Sequence, residues 1–145
     1  MKASDKKIKR EEPLSVELMI ATVSQNDDSV LDRMHVQSDA VVINQGSPFQ
    51  WQEFRQDDHL IRFLCCEELG IGPSRNTALM RARGDICLFA DDDLVYRDGY
   101  VEKIGRAFQE HPDADVIVFN IQSIGARKRR YQIPKPKRIH WYNFE

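Results

Sequence analysis

Five short apolar runs, set among stretches with helical periodicity, constrain this chain more than any other feature. Val16 to Val23, Ala40 to Asn44, Leu60 to Cys65, Asp85 to Ala90 and Val116 to Phe119 each have the length and β-branched or aliphatic content of a buried strand. Between them, Asp28 or Ser29 caps a short helix through Met34. A Gly70-Ile71-Gly72-Pro73 loop leads into a helix from about Ser74 to Arg83, with Pro73 in its first turn, Ala78, Leu79 and Ala82 on one face, and Gly84 at its end. Asp98 caps a further helix carrying Val101, Ile104 and Phe108 on one stripe, which His111-Pro112 stops. Residues 49–58 are polar and aromatic and suggest no firm element. Alternating strands and helices of this size predict an α/β three-layer sandwich around a mostly parallel sheet. Ligands of such sheets bind outside the carboxyl ends of the strands.

The fourth run ends abruptly in Asp91-Asp92-Asp93. Three like charges repel, and a bound divalent cation is the simplest reason to gather them at a strand end. In extended chain, residues two apart point the same way, so Asp91 and Asp93 are placed to share one ion while Asp92 faces elsewhere. All-oxygen ligands suit Mg2+ or Mn2+, completed by water and substrate phosphate; a solvated acidic loop is the plain alternative. The other strands also end in polar groups. Thr22, Ser24, Gln25 and Asn26 follow the first, Asn44 and Gln45 the second, Ser74, Arg75 and Asn76 the third by way of the glycine loop, and Asn120 the fifth. A cation such as Arg75 at a helix start opposes the helix dipole, which argues for an anionic partner there.

The length, 145 residues, suits one domain with a real core. Charge is uneven: residues 1–120 carry 14 Lys and Arg against 22 Asp and Glu, and residues 121–145 carry 7 against 1. An acidic body argues against nucleic acid as a partner and against binding a diphosphate unaided, a difficulty that a metal ion removes locally. Residues 1–13 read as a charged leader, and no apolar run is long enough to span a membrane. Cys65, Cys66 and Cys87 have no zinc-type spacing; packing roles and a reducing, cytoplasmic compartment follow.

Gly70-Ile71-Gly72-Pro73-Ser74-Arg75-Asn76-Thr77-Ala78-Leu79, then Ala82-Arg83-Gly84-Asp85-Ile86, then Phe89-Ala90-Asp91-Asp92-Asp93 resembles family 2 glycosyltransferases. In that family a G-x-x-x-(S/A)-R-N segment and a G-D-(I/Y) strand lead to a D-x-D metal motif, and Arg97-Asp98-Gly99-Tyr100 fits the segment that follows. The resemblance covers roughly Ser15 to Asn120 and implies the nucleotide-sugar-binding GT-A fold, Rossmann-like. It makes Asp91 and Asp93 the D-x-D carboxylates for the metal, with Asp91, Asp92, Thr22, Arg75 and Asn76 near the donor nucleotide. Asn76 reads equally well as a turn residue. Where the family carries V-D-D-G-S, one acid of which reads uracil, this chain has Ile43-Asn44-Gln45-Gly46-Ser47. The amide oxygen of Gln45 can accept from a uracil N–H in place of the acid.

The resemblance implies sugar transfer from a UDP-sugar to a saccharide or lipid-linked acceptor hydroxyl, with inversion. Residues 14–120 would form the donor-binding domain alone. The basic stretch 121–145 would open an acceptor-binding half that the chain lacks, because nothing from Ile121 to Glu145 offers an acidic motif for a general base. One rival is an inactive nucleotide- or metal-binding fragment that needs a partner chain. For this rival, Arg127 to Arg130, with Tyr131, Trp141, Tyr142 and Phe144, leave room for contact with a partner, RNA or the inner face of a membrane. A phosphoryl-transfer enzyme with a nucleophilic aspartate is disfavoured, since the motif follows the fourth strand and no Thr follows Asp93.

Overall fold

The computed structural model describes residues 13–122 and 135–140, and it divides into a unit ending at Pro112 and a unit from Asp113. In the first unit, β1 (Val16–Val23), β2 (Asp39–Gln45), β3 (Gln50–Gln56), β4 (His59–Cys66) and β5 (Ile86–Asp91) make one sheet in the order β3-β4-β2-β1-β5. All neighbours are parallel except β3 with β4. Three helices, α1 (Ser29–Met34), α2 (Ile71–Leu79) and α3 (Tyr100–Glu110), complete the unit.

Two apolar clusters place the helices on opposite faces. Val30, Leu31 and Met34 of α1 and Tyr100 and Ile104 of α3 pack on Leu18, Ile20, Val42 and Ile61. On the other face Ala78 of α2 packs on Met19, Val41, Ile43 and Leu64. The central strands are therefore buried on both sides, which is why they read as unbroken apolar runs. This is the expected three-layer α/β arrangement, a GT-A, Rossmann-like fold. Val101 and Phe108 flank Ile104 against the core, as the stripe on α3 requires.

Several elements differ from the sequence reading. Val116–Phe119 is not a strand; Val116 and Val118 are exposed, and among the described residues no ladder includes them. Apolar content alone cannot supply a pairing partner. The fifth strand is instead β3, a polar edge strand joined to β4 by a two-residue hairpin in which Asp57 takes a left-handed conformation (φ 51°). Helix α2 starts at Ile71 and ends at Leu79, so Arg75 lies in its second turn, Leu79 points outward, and Gly84 is not its cap. Gly99, rather than Asp98, precedes α3 in the cap position. Residues 1–12, Arg127–Arg130, Tyr131, Trp141, Tyr142 and Phe144 lie outside the described residues. Among the described residues, no helix is long and apolar enough to cross a membrane.

A buried ion pair that the sequence reading missed fixes α2 to the sheet. Arg62 of β4 and Glu17 of β1, both almost fully buried, form a charge-assisted hydrogen bond across β2. The second Glu17 oxygen accepts from the backbone N–H groups of Arg83 (2.7 Å) and Gly84 (3.0 Å), while Arg62 donates to the carbonyl of Arg81. A side chain at Gly84 would bring its Cβ to 2.7 Å from that of Glu17, so this position excludes one. The loop joining α2 to β5 is thus sewn onto the start of β1.

Candidate functional site

From β1 the chain moves outward through β2 to β4, and then crosses back to lay β5 on the other side of β1. That reversal opens a crevice at the carboxyl ends of β1 and β5, the place where open parallel sheets bind ligands. A hydrogen bond spans it: the Thr22 hydroxyl, at the end of β1, donates to Asp92 Oδ2 at 2.5 Å. Asp91 is the last residue of β5, and its carbonyl accepts from Leu94 N at 3.2 Å, so the chain turns immediately. Extended-chain alternation therefore stops at Asp91, and the expectation that Asp92 faces away is corrected: Asp92 turns toward Thr22.

The crevice is a cleft of about 350 Å³. Thr22, Gln45, Asp91 and Asp92 line it, together with an apolar lip of Val23, Leu69 and Ile71. Arg75 joins the site through Asp91, its Nη2 lying 2.8 Å from Asp91 Oδ1. The anionic partner expected beside this arginine is thus a neighbour within the chain. Asp93 is exposed and outside the lining. Asn76 is exposed on α2, and its amide contacts Met80 Sδ at 3.8 Å rather than the cleft.

Gln45 is buried, and its side-chain oxygen accepts from the Gly70 N–H at 2.6 Å. Gly70 adopts φ 141°, a conformation that L side chains rarely take, and this turns its N–H toward Gln45 just before α2 begins. Next door, Asn44 holds the loop after β1 with two bonds to Gln25, one to its N–H and one to its carbonyl, each 2.9 Å. The apolar lip and the Gln45–Gly70 contact were not foreseen; the Gly70-Ile71-Gly72 loop was their only sequence signal. A second, larger groove of about 550 Å³ opens on the α1 face beside Phe63 and Cys65; Asp27 and Asp28 line it, and Asp91 to Asp93 do not.

The segment after the aspartates is held from the α1 side. Tyr96 N–H donates to the Met34 carbonyl (2.9 Å), its carbonyl meets His35 Nδ1 (3.0 Å), and its ring stacks on Tyr100 with centroids 4.4 Å apart. Burial pushes the Tyr96 and Tyr100 hydroxyls above the usual tyrosine range. Burial likewise raises the Cys66 and Cys87 thiols, which keeps them protonated and fits packing roles.

Among the described residues, no three His, Cys, Asp or Glu side chains converge as a ready-made metal cage. Adjacent rim carboxylates nevertheless fit a hard cation that keeps waters and takes its remaining ligands from phosphate oxygens.

Comparison with known proteins agrees with the fold. The sequence model of glycosyl transferase family 2 matches residues 20–144. Glycosyltransferase GlyA of Streptococcus pneumoniae is 31% identical over 100 residues, which cover 66% of this chain. The aligned part is 14% of that relative's length. No solved structure gives a significant match. A family match over most of the chain, on a mostly parallel sheet whose reversal point carries Asp91 and Asp92, leaves one assignment: this chain belongs to glycosyl transferase family 2.

Proposed function

We propose that this chain binds a nucleoside diphosphate sugar at the β1–β5 crevice and forms the donor side of a glycosyltransferase site. The observation that carries the reading is the composition of the cleft. One end is an apolar lip suited to a flat base; the other is a pair of carboxylates with an arginine on one of them. A base and a diphosphate need those two environments within one ligand's reach.

By the family pattern Asp91 and Asp93, the D-x-D pair, would hold Mg2+ or Mn2+, Asp91 beside Asp92 in the cleft lining and Asp93 on the exposed rim outside it. The cation would neutralise charge on the departing diphosphate. Asp92 is fixed by the Thr22 hydroxyl, and Arg75 holds Asp91 in place before donor arrives. In the complete reaction an acceptor hydroxyl on a saccharide or lipid-linked saccharide attacks the anomeric carbon. The bond to the diphosphate breaks, the configuration inverts, and a general base takes the hydroxyl proton. None of the described residues is assigned as that base, so donor binding is the part of the reaction placed on this chain. UDP-sugar is the donor that the family pattern implies.

Calorimetric titration with nucleoside diphosphates and UDP-sugars, with and without MnCl2, tests the reading. Binding should require the metal, and Asp93→Asn should weaken it at least about tenfold, the loss of one ligand to a charged group. Metal-independent binding, or none, would remove the donor-site assignment.

A further inference from the structure

Strand β3 forms the edge of the sheet farthest from β5, and the hairpin to β4 decides which of its backbone groups face outward. The two-residue turn sets Gln56 opposite His59 as a hydrogen-bonded pair, so Gln50, Gln52, Phe54 and Gln56 bond to β4. The alternation along β4 agrees: Leu60 N–H points to the β2 side, where it donates to Asp39 Oδ1 at 2.8 Å. The N–H and C=O groups of Trp51, Glu53 and Arg55 therefore point away from the sheet. Among the described residues, none of these groups has a hydrogen-bond partner.

Free edges are usually blunted by proline, lysine, a bulge or shortness. β3 has seven residues, no proline or lysine, and an unbroken register with β4. Its charges are Glu53 and Arg55, one of each sign and two residues apart, so they share a face. That is the α2 face, where Arg81 lies over the Trp51 ring and Arg83 is 3.9 Å from Glu53. Two copies of β3, antiparallel about a twofold axis at Phe54, bring Glu53 of each opposite Arg55 of the other. Both residues face outward, so each pair exchanges two N–H···O bonds as well as matching charge. On the other face the two Phe54 side chains meet at the closer, non-hydrogen-bonded spacing. A twofold axis at Glu53 or at Arg55 instead sets like charges directly opposite, which opposes pairing.

We infer that the β3 edge is a homodimer interface, at which a second copy of this chain continues the sheet in the register set by reciprocal Glu53–Arg55 pairs. The contact does not depend on the donor-site reading. It places the β1–β5 crevice of each copy toward an outer edge of the joined sheet.

Sedimentation velocity of the full chain from about 10 to 500 μM is the test, and the dimer population should grow with concentration. Glu53→Arg and Arg55→Glu should each weaken dimerisation at least about tenfold, since symmetry makes either reversal act at two pairs. Mixed in equal amounts, the two variants should pair again, because arginines then face glutamates. In the unaltered chain, hydrogen exchange at the Glu53 and Arg55 amides should slow as concentration rises, while the Phe54 amide, already bonded to β4, should change little. A chain that stays monomeric over that range overturns the inference, as does exchange at Glu53 and Arg55 that ignores concentration. A dimer that neither reversal weakens also overturns it, and so does a mixture that stays monomeric when both variants have native circular dichroism. Exchange in the unaltered chain decides the question even if a variant fails to fold.

Discussion

Helix α2 is fastened at two points by an arginine and an acid, and the two fastenings are built differently. After its carboxyl end, Arg62 and Glu17 are 2% and 3% exposed, and both Glu17 oxygens are taken by donors from the loop and from Arg62. In its second turn, Arg75 pairs with Asp91; the two are 40% and 57% exposed and share one bond. Buried charge survives only when its partners are nearly complete; in the first pair Arg62 Nε alone lacks one, and its burial keeps it from a ligand. Exposed charge costs little to leave half-satisfied, so the second can give up or share its partner. A strong pair inside the sheet thus holds the helix, while a weak pair at the rim leaves carboxylates and a guanidinium available to a cation and a diphosphate.

The largest expected effect breaks the buried pair. Arg62→Met should lower unfolding free energy by about 3–5 kcal/mol in urea denaturation, because Glu17 keeps a buried charge without its counter-ion. Combining it with Glu17→Gln should recover a good part of that loss. A single variant that unfolds like the parent would make the pair decorative and end the contrast with the rim. Gly84→Ala comes next. Its Cβ would sit 2.7 Å from the Glu17 Cβ and 3.2 Å from the Glu17 backbone nitrogen, so the loop must shift. A destabilisation of about 1–3 kcal/mol is expected, measured in the same way. Little change would mean that the loop is not seated on Glu17.

Most of the sheet was legible because parallel strands buried on both faces leave unbroken apolar runs. The acidic rim was legible because Asp91 to Asp93 follow one of those runs. The errors share a cause: local pattern carries no information about partners. Gln50–Gln56 has too few apolar residues to read as a strand, yet β4 and the turn at Asp57 recruit it. Val116–Phe119 has the composition of a strand and enters no ladder among the described residues. The roles of Glu17, Arg62 and Gly84 depend on contacts between residues 45 to 67 positions apart in the chain. In the site, Asp92 was misdirected because alternation was carried one residue past the end of β5. Nothing in the sequence reveals that the Gly70 N–H reaches the oxygen of Gln45.

The smallest effect on stability, and the sharpest on the comparison, belongs to Arg75→Gln. An exposed pair of this kind contributes about 0–1 kcal/mol, so denaturation should shift by no more than that. Its influence should appear in two binding measurements that move in opposite directions. Mn2+ alone should bind more tightly, because Asp91 no longer has a cation beside it to compete with the metal or repel it. The Mn2+–nucleoside diphosphate complex should bind about tenfold more weakly, because a guanidinium that could move from Asp91 to a phosphate oxygen is gone. A purely structural role would lower stability and leave both affinities in proportion. If both affinities fall together with a stability loss of several kcal/mol, Arg75 is a fastening like Arg62, and the two fastenings of α2 do not differ in kind.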